Sequence, residues 1–219
     1  MQRNYILSKI REPFNGLSHL ISAIVAIIGG IPLLIASWSG PEKIISAVVY
    51  LSSLVAMFLA SGVYHLARVK PNALARLRKL DHSAIFLLIA GTYTPFCLIA
   101  FTGFWRWGFL AIIWVIAILG ILVKVFFPGV PRWLHTATYV VMGWLCMLAA
   151  PQMPSALPSS TIVWLIVGGI IYTFGAIVYA TRIFNFIPGK FGFHEVWHIF
   201  VILGAASHFA AVVTVIVHS

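Results

Sequence analysis

The chain has 219 residues, 62% of them hydrophobic and only 8% charged. Soluble domains carry roughly 25% charged residues, so this composition excludes a soluble domain with a large core and indicates a polytopic membrane protein. The net charge of +10 invites a nucleic-acid reading. No basic helix is free to enter a groove, however, and the basic residues instead fit topology setting and contact with anionic membrane-lipid headgroups.

Seven apolar runs follow in order, at about 17–37, 44–66, 82–102, 107–126, 134–150, 161–181 and 194–217. Each is near the roughly 20 residues that cross a bilayer as a helix. Basic residues precede the first run, as in a signal peptide. That run is long enough to span and lacks an evident small-residue cleavage site, so it is expected to be a retained helix. Ser39-Gly40-Pro41, the basic stretch Arg68–Lys79, Gly103, Pro128-Gly129-Val130-Pro131, Pro151–Pro158 and Pro188-Gly189 separate the runs and carry turn and helix-end chemistry. The fifth run is the shortest. Pro95, near the end of the third, is expected to kink its helix. Cys97 and Cys146 lie inside apolar runs and read as small core residues. The expectation is an all-α integral membrane protein: one seven-transmembrane-helix bundle over residues 1–219, with no internal repeat.

Basic residues predict the orientation. With alternating segments, one side receives Arg3, Lys9 and Arg11, then Arg68, Lys70, Arg76, Arg78 and Lys79, then Lys124 and Arg132, then Arg182 and Lys190. That is twelve of the fourteen Lys and Arg, leaving Lys43 and Arg106 for the other side. The positive-inside rule then puts the N-terminus in the cytoplasm and the C-terminus outside, as for a multi-pass bacterial inner or plasma membrane protein.

This topology gathers the costly residues. Polar and ionisable side chains inside a membrane are expensive and usually functional. His65 falls at the cytoplasmic end of the second helix, Asp81 and His82 at that of the third, His194 and His198 at that of the seventh, and Glu12, Asn15 and His19 at that of the first. Ser61 and His65 are four residues apart and share a helix face, as do His194 and His198. The latter pair spells HExxH, a helical zinc-chelating pattern. Glu195 could equally serve the helix N-terminus. The candidate chemistry is a Zn2+ held by His65, His194 and His198, with water in the fourth position. Asp81 would orient that water or take its proton, and Ser61 would hydrogen-bond it or a developing oxyanion. Alternatives stay open: Asp81 could pair with Arg78 or Lys79, and Ser61 could bond its own helix backbone. Glu12, Asn15, His19 and Ser22 form a polar stripe whose role is undecided between packing and support of the site. His208, about 15 Å deeper, is too far to ligate and could line a cavity. His82, His135 and His218 read as interfacial or terminal.

These residues carry a resemblance. Glu12-Pro-Phe-Asn15-Gly-Leu-Ser-His19, Ser61-Gly-Val-Tyr-His65, Asp81 through Pro95, and His194-Glu-Val-Trp-His198 through Phe209 resemble the bacterial haemolysin III group of the progestin and adipoQ receptor family, in the same order over essentially the whole chain. The resemblance implies a seven-helix fold with an intramembrane zinc near the cytoplasmic face. Its three zinc histidines match His65, His194 and His198, and its accompanying serine and aspartate match Ser61 and Asp81. The group is also similar to alkaline ceramidases, which cleave a lipid amide. The large N-terminal domain of animal receptor members is not expected here, which argues against hormone sensing. The functional expectation is a zinc-dependent hydrolase of a lipid amide or acyl bond acting on a membrane lipid. The alternatives are a non-catalytic membrane-homeostasis protein or receptor with a structural zinc, and a pore-forming haemolysin.

Overall fold

A computed structural model describes residues 10–127, 129–187 and 191–218. Its helices are α1 (Pro13–Ala36), α2 (Pro41–Leu66), α3 (Pro71–Pro95), α4 (Gly103–Phe126), α5 (Arg132–Trp144), α6 (Ser159–Thr181) and α7 (Phe193–His218). A tighter turn, Ser37–Ser39, ends α1, and another, Leu145–Ala149, extends α5. A single helical turn, Met153–Ala156, precedes α6. The β-structure among the described residues is one isolated antiparallel bridge, Ile187 to Phe191. Among the described residues, six helices are long and apolar enough to cross a membrane, and Trp133–Ala149 is a seventh, shorter apolar helix. The protein is therefore a multi-pass, seven-helix membrane bundle, and the shortest helix is the one built from the shortest apolar run.

Prolines open α1, α2 and α3 in the first helical turn, where the missing N–H is not needed and the fixed φ suits the helix. One boundary differs from the hydropathy reading. The third helix starts at Pro71, not near residue 82, because Asn72–Leu80 is rich in Ala, Leu, Arg and Lys, which are strong helix formers. The basic stretch is helical, and His82 lies about three turns inside α3. Pro95 does not end its segment either. The chain runs on through a wider turn, Phe96–Ala100, which accommodates the donor that proline lacks.

The helices pack in chain order, α1 on α2, α2 on α3, α3 on α4 and α6 on α7, and α1 closes on α7. Outward faces are apolar: Ile21, Ile24, Val25, Ile28 and Ile35 of α1 are all more than half exposed, as suits contact with lipid. Polar groups turn inward, with Asn15, His19, Ser61, His65, Asp81 and His198 all buried. Small residues let α1 approach α2 closely. A Cβ added to Gly62 would lie 3.2 Å from the Gly16 carbonyl oxygen and 2.6 Å from the Leu20 side chain. This contact holds the polar stripe of α1 against His65. At the far side of the interior, the Tyr93 hydroxyl donates toward the Met142 and Gly143 carbonyls at 2.9 and 2.8 Å, and accepts from the Cys146 N–H at 2.8 Å. It satisfies the backbone where α5 tightens. Cys97 and Cys146 are both free thiols.

Candidate metal centre

His65 sits in the last turn of α2, and His194 and His198 occupy the first two turns of α7. The i, i+4 spacing puts the latter two on one face, and that face meets the end of α2. One nitrogen from each of the three imidazoles lies within 4.8 Å of the others. The His65 ring centroid is 4.6 Å from that of His198 and 5.1 Å from that of His194. His65 and His198 are 1% and 2% exposed, so bulk water does not compete for their lone pairs.

α1 fixes His65 from behind. The Glu12 backbone N–H donates to the His65 carbonyl at 3.0 Å, which satisfies an acceptor left over at the end of α2. The Glu12 carboxylate meets His65 Nδ1 at 2.5 Å. An ionised carboxylate only accepts, so Nδ1 carries the proton and Nε2 is left as the lone-pair donor. Metal-binding histidines commonly have their second nitrogen held in this way. Burial alone would raise the Glu12 pKa, but the hydrogen bond from His65, with Arg11 and Asn15, pulls it down to about 2. Arg11 pairs with the other Glu12 oxygen at 3.1 Å and stacks over the Tyr64 ring. Glu12 therefore contacts both an arginine and a histidine of the cluster.

The same network locates Glu195. One oxygen accepts from the Gly192 N–H at 2.8 Å, and the other from Asn15 Nδ2 at 2.9 Å. Its first contact serves the start of α7, as the helix-terminus alternative expected. Its second, to α1, could not be read from a motif because Asn15 is 180 residues away. Ser22, on the same stripe, bonds the Ser18 carbonyl of its own helix. His19 is buried with its ring centroid 4.1 Å from that of His198, but it is not one of the clustered donors.

Ser61 and Asp81 are 3% and 8% exposed. The Ser61 hydroxyl is in hydrogen-bonding reach of the Asp81 carboxylate. All five expected site residues line a single cavity of about 960 Å³. Leu88, Ile89, Phe96, Phe109 and Met153 continue its wall away from the histidines. His208 lines it too, with Nε2 3.4 Å from the Leu165 carbonyl, in line with the expectation that it is too deep to ligate. His82 and His135 line it as well, and His135 is 9% exposed.

Three neutral imidazoles without a thiolate suit zinc and neighbouring divalent metals. The donor set fits a metal ion on two counts: His65 has its second nitrogen secured, and His198 Nδ1 is buried without a partner among the described residues.

A family profile for haemolysin-III-related proteins matches residues 7–209. The chain belongs to the haemolysin-III-related family. It is 39% identical to hemolysin-3 of Bacillus cereus over 205 residues, covering 92% of this chain and 90% of that one. It is 35% identical to a hemolysin-3 homolog of Bacillus subtilis, covering 92% of each. More distantly, it is 27% identical to the adiponectin receptor protein of Drosophila melanogaster, of which it spans 41%. Within this haemolysin-III-related chain, the profile spans every residue of the candidate metal centre.

Proposed function

We propose that the protein is a zinc-dependent hydrolase of a lipid amide or related acyl bond, working inside the membrane. The observation that carries this reading is the convergence of His65, His194 and His198 with Asp81 and Ser61 on the wall of a largely apolar cavity. The imidazoles would hold the zinc, and a bound zinc would supply Lewis acidity for water and carbonyl activation. Asp81 takes a proton from the attacking water as its oxygen bonds the acyl carbon. As the carbon–nitrogen bond breaks, that proton passes to the leaving nitrogen, giving a fatty acid and an amine. Ser61 holds the Asp81 carboxylate in place. Residues of α3 and α4 beyond the site accommodate the acyl chain and keep bulk water out. Among the described residues the group has three protein donors, where a structural zinc site is closed by four, and this favours an open catalytic position over a staple. By the basic-residue bias, the site end of the bundle faces the cytoplasm.

The test is to purify the protein without chelators, measure bound zinc, and incubate it with N-acyl lipids. Zinc near one equivalent and fatty-acid release lost in Asp81→Asn are the expected results. Zinc without any Asp81-dependent product would overturn the enzyme and leave a helix-stapling metal.

A further inference from the structure

One face of α1 meets the metal centre turn by turn. Glu12, Asn15 and His19 are spaced i, i+3 and i+7, so they lie on the same side. The Glu12 carboxylate holds His65 Nδ1. Asn15 Nδ2 donates to Glu195, the chain neighbour of His194, at 2.9 Å. The next turn brings His19 against His198, with ring centroids 4.1 Å apart and planes tilted by 40°. Phe58 packs edge-on to the His19 ring at 5.1 Å.

Unpaired nitrogens collect at this contact. Neither nitrogen of His19 has a hydrogen-bond partner among the described residues, and neither does His198 Nδ1. Both histidines are buried, at 3% and 2% exposure, where an unmade hydrogen bond is costly. One His19 nitrogen approaches the backbone carbonyl of His198 without closing a bond to it. The lone pair of His19 is not spent on the metal cluster either, since His19 is not one of the clustered donors.

Metal binding gives these nitrogens a use. A neutral imidazole has one lone pair and one N–H, so a ring that gives its lone pair to a metal carries its proton on the other nitrogen. That second nitrogen normally needs an acceptor. For His65 the acceptor is Glu12. In His198, Nδ1 is sealed off and Nε2 is not, so Nε2 is the nitrogen left for the metal and Nδ1 becomes a buried N–H. His19 is the polar side chain whose ring lies against it. Without an ion-pair partner among the described residues, a buried imidazole stays neutral and keeps a lone pair to offer. Hydrogen bonds of this kind span about 3 Å between nitrogens, which puts the two ring centres about 5 Å apart. The rings are already closer than that, so a turn of the His19 ring closes the bond without moving the backbone.

We infer that His19 is the positioning residue of His198: it accepts the Nδ1–H of the metal-bound ring, as Glu12 accepts that of His65. α1 thereby orients two of the three metal histidines from outside the cluster. The inference rests on the metal centre and is independent of hydrolysis.

Zinc affinity and nitrogen NMR test it on the whole protein purified in detergent. His19→Phe keeps a ring between His198 and Phe58 but offers no acceptor, and it is expected to lose about 10- to 100-fold in zinc affinity by chelator competition. His19→Gln keeps an acceptor and is expected to lie closer to wild type than to His19→Phe. Ser22→Ala, on the same stripe but bonded to its own helix, is expected to match wild type. In zinc-loaded wild type labelled with 15N-histidine, His198 is expected to carry its proton on Nδ1 and to show a nitrogen–nitrogen coupling to His19 across the hydrogen bond. Wild-type zinc affinity in His19→Phe would overturn the inference, as would equal losses in His19→Phe and His19→Gln. Coordination of His198 through Nδ1 would also overturn it. So would loss of a histidine nitrogen from the zinc shell of His19→Phe by X-ray absorption, which would make His19 a ligand. Wild-type protein without zinc would overturn the metal centre itself.

Discussion

Removing the Glu12 carboxylate should weaken metal binding although Glu12 touches no metal. Glu12→Ala leaves His65 Nδ1–H in a site where the histidine is 1% exposed, with its 2.5 Å acceptor gone. The ring is then free to rotate or to change tautomer, and both reduce the availability of Nε2. Loss of such an outer partner typically costs 10- to 100-fold in metal affinity, or about 1.4 to 2.8 kcal/mol. Glu12→Gln keeps an acceptor but not the charge. Charge-assisted bonds are roughly twice as strong as neutral ones, so its loss should be about half as large in free energy, roughly three- to tenfold. Arg11→Ala removes the 3.1 Å pair to the other carboxylate oxygen and leaves the His65 contact, so its effect should be under about threefold. The assay is competition for zinc against a chromophoric chelator, using each purified variant in the same detergent. Zinc affinities for Glu12→Ala and wild type within twofold of each other would refute the reasoning.

Other outcomes follow from the same geometry. His65→Ala, His194→Ala and His198→Ala should each remove most of the bound zinc by elemental analysis, whereas His208→Ala should retain it. Ser61→Ala should keep zinc and lower turnover, read as kcat on an N-acyl lipid, by about 10- to 100-fold. Gly62→Val forces side-chain atoms toward the Gly16 carbonyl and Leu20 and should cost about 1–3 kcal/mol, seen as a lower Tm in detergent. Tyr93→Phe leaves the Cys146 N–H, now bonded at 2.8 Å, without its acceptor. It should cost about 1–3 kcal/mol, checked by the same melt, with zinc content unchanged.

Most of the bundle could be read from the sequence because lipid imposes a coarse rule: each crossing needs about 20 apolar residues. What hydropathy missed is the first part of α3. Arg76, Arg78 and Lys79 are polar, so that stretch looked like a loop, yet its helix propensity is high and Pro71 starts it well. The three histidines and Ser61 were legible through spacing, since i, i+4 pairs declare a shared face. Their meeting across α2 and α7 required the topology as well. The Glu195–Asn15 bond and the Tyr93 contacts to α5 were not legible. They depend on helix rotation and depth, which local pattern does not encode.

The central claim is that His65, His194 and His198 together hold one zinc. X-ray absorption at the zinc edge on the purified protein tests it most directly, with elemental analysis of the same sample. The account predicts about one zinc per chain, with a shell of histidine nitrogens at about 2.0–2.1 Å that disappears in His65→Ala. A full complement of zinc with an unchanged spectrum in His65→Ala, or no zinc in wild-type protein prepared without chelators, would contradict it.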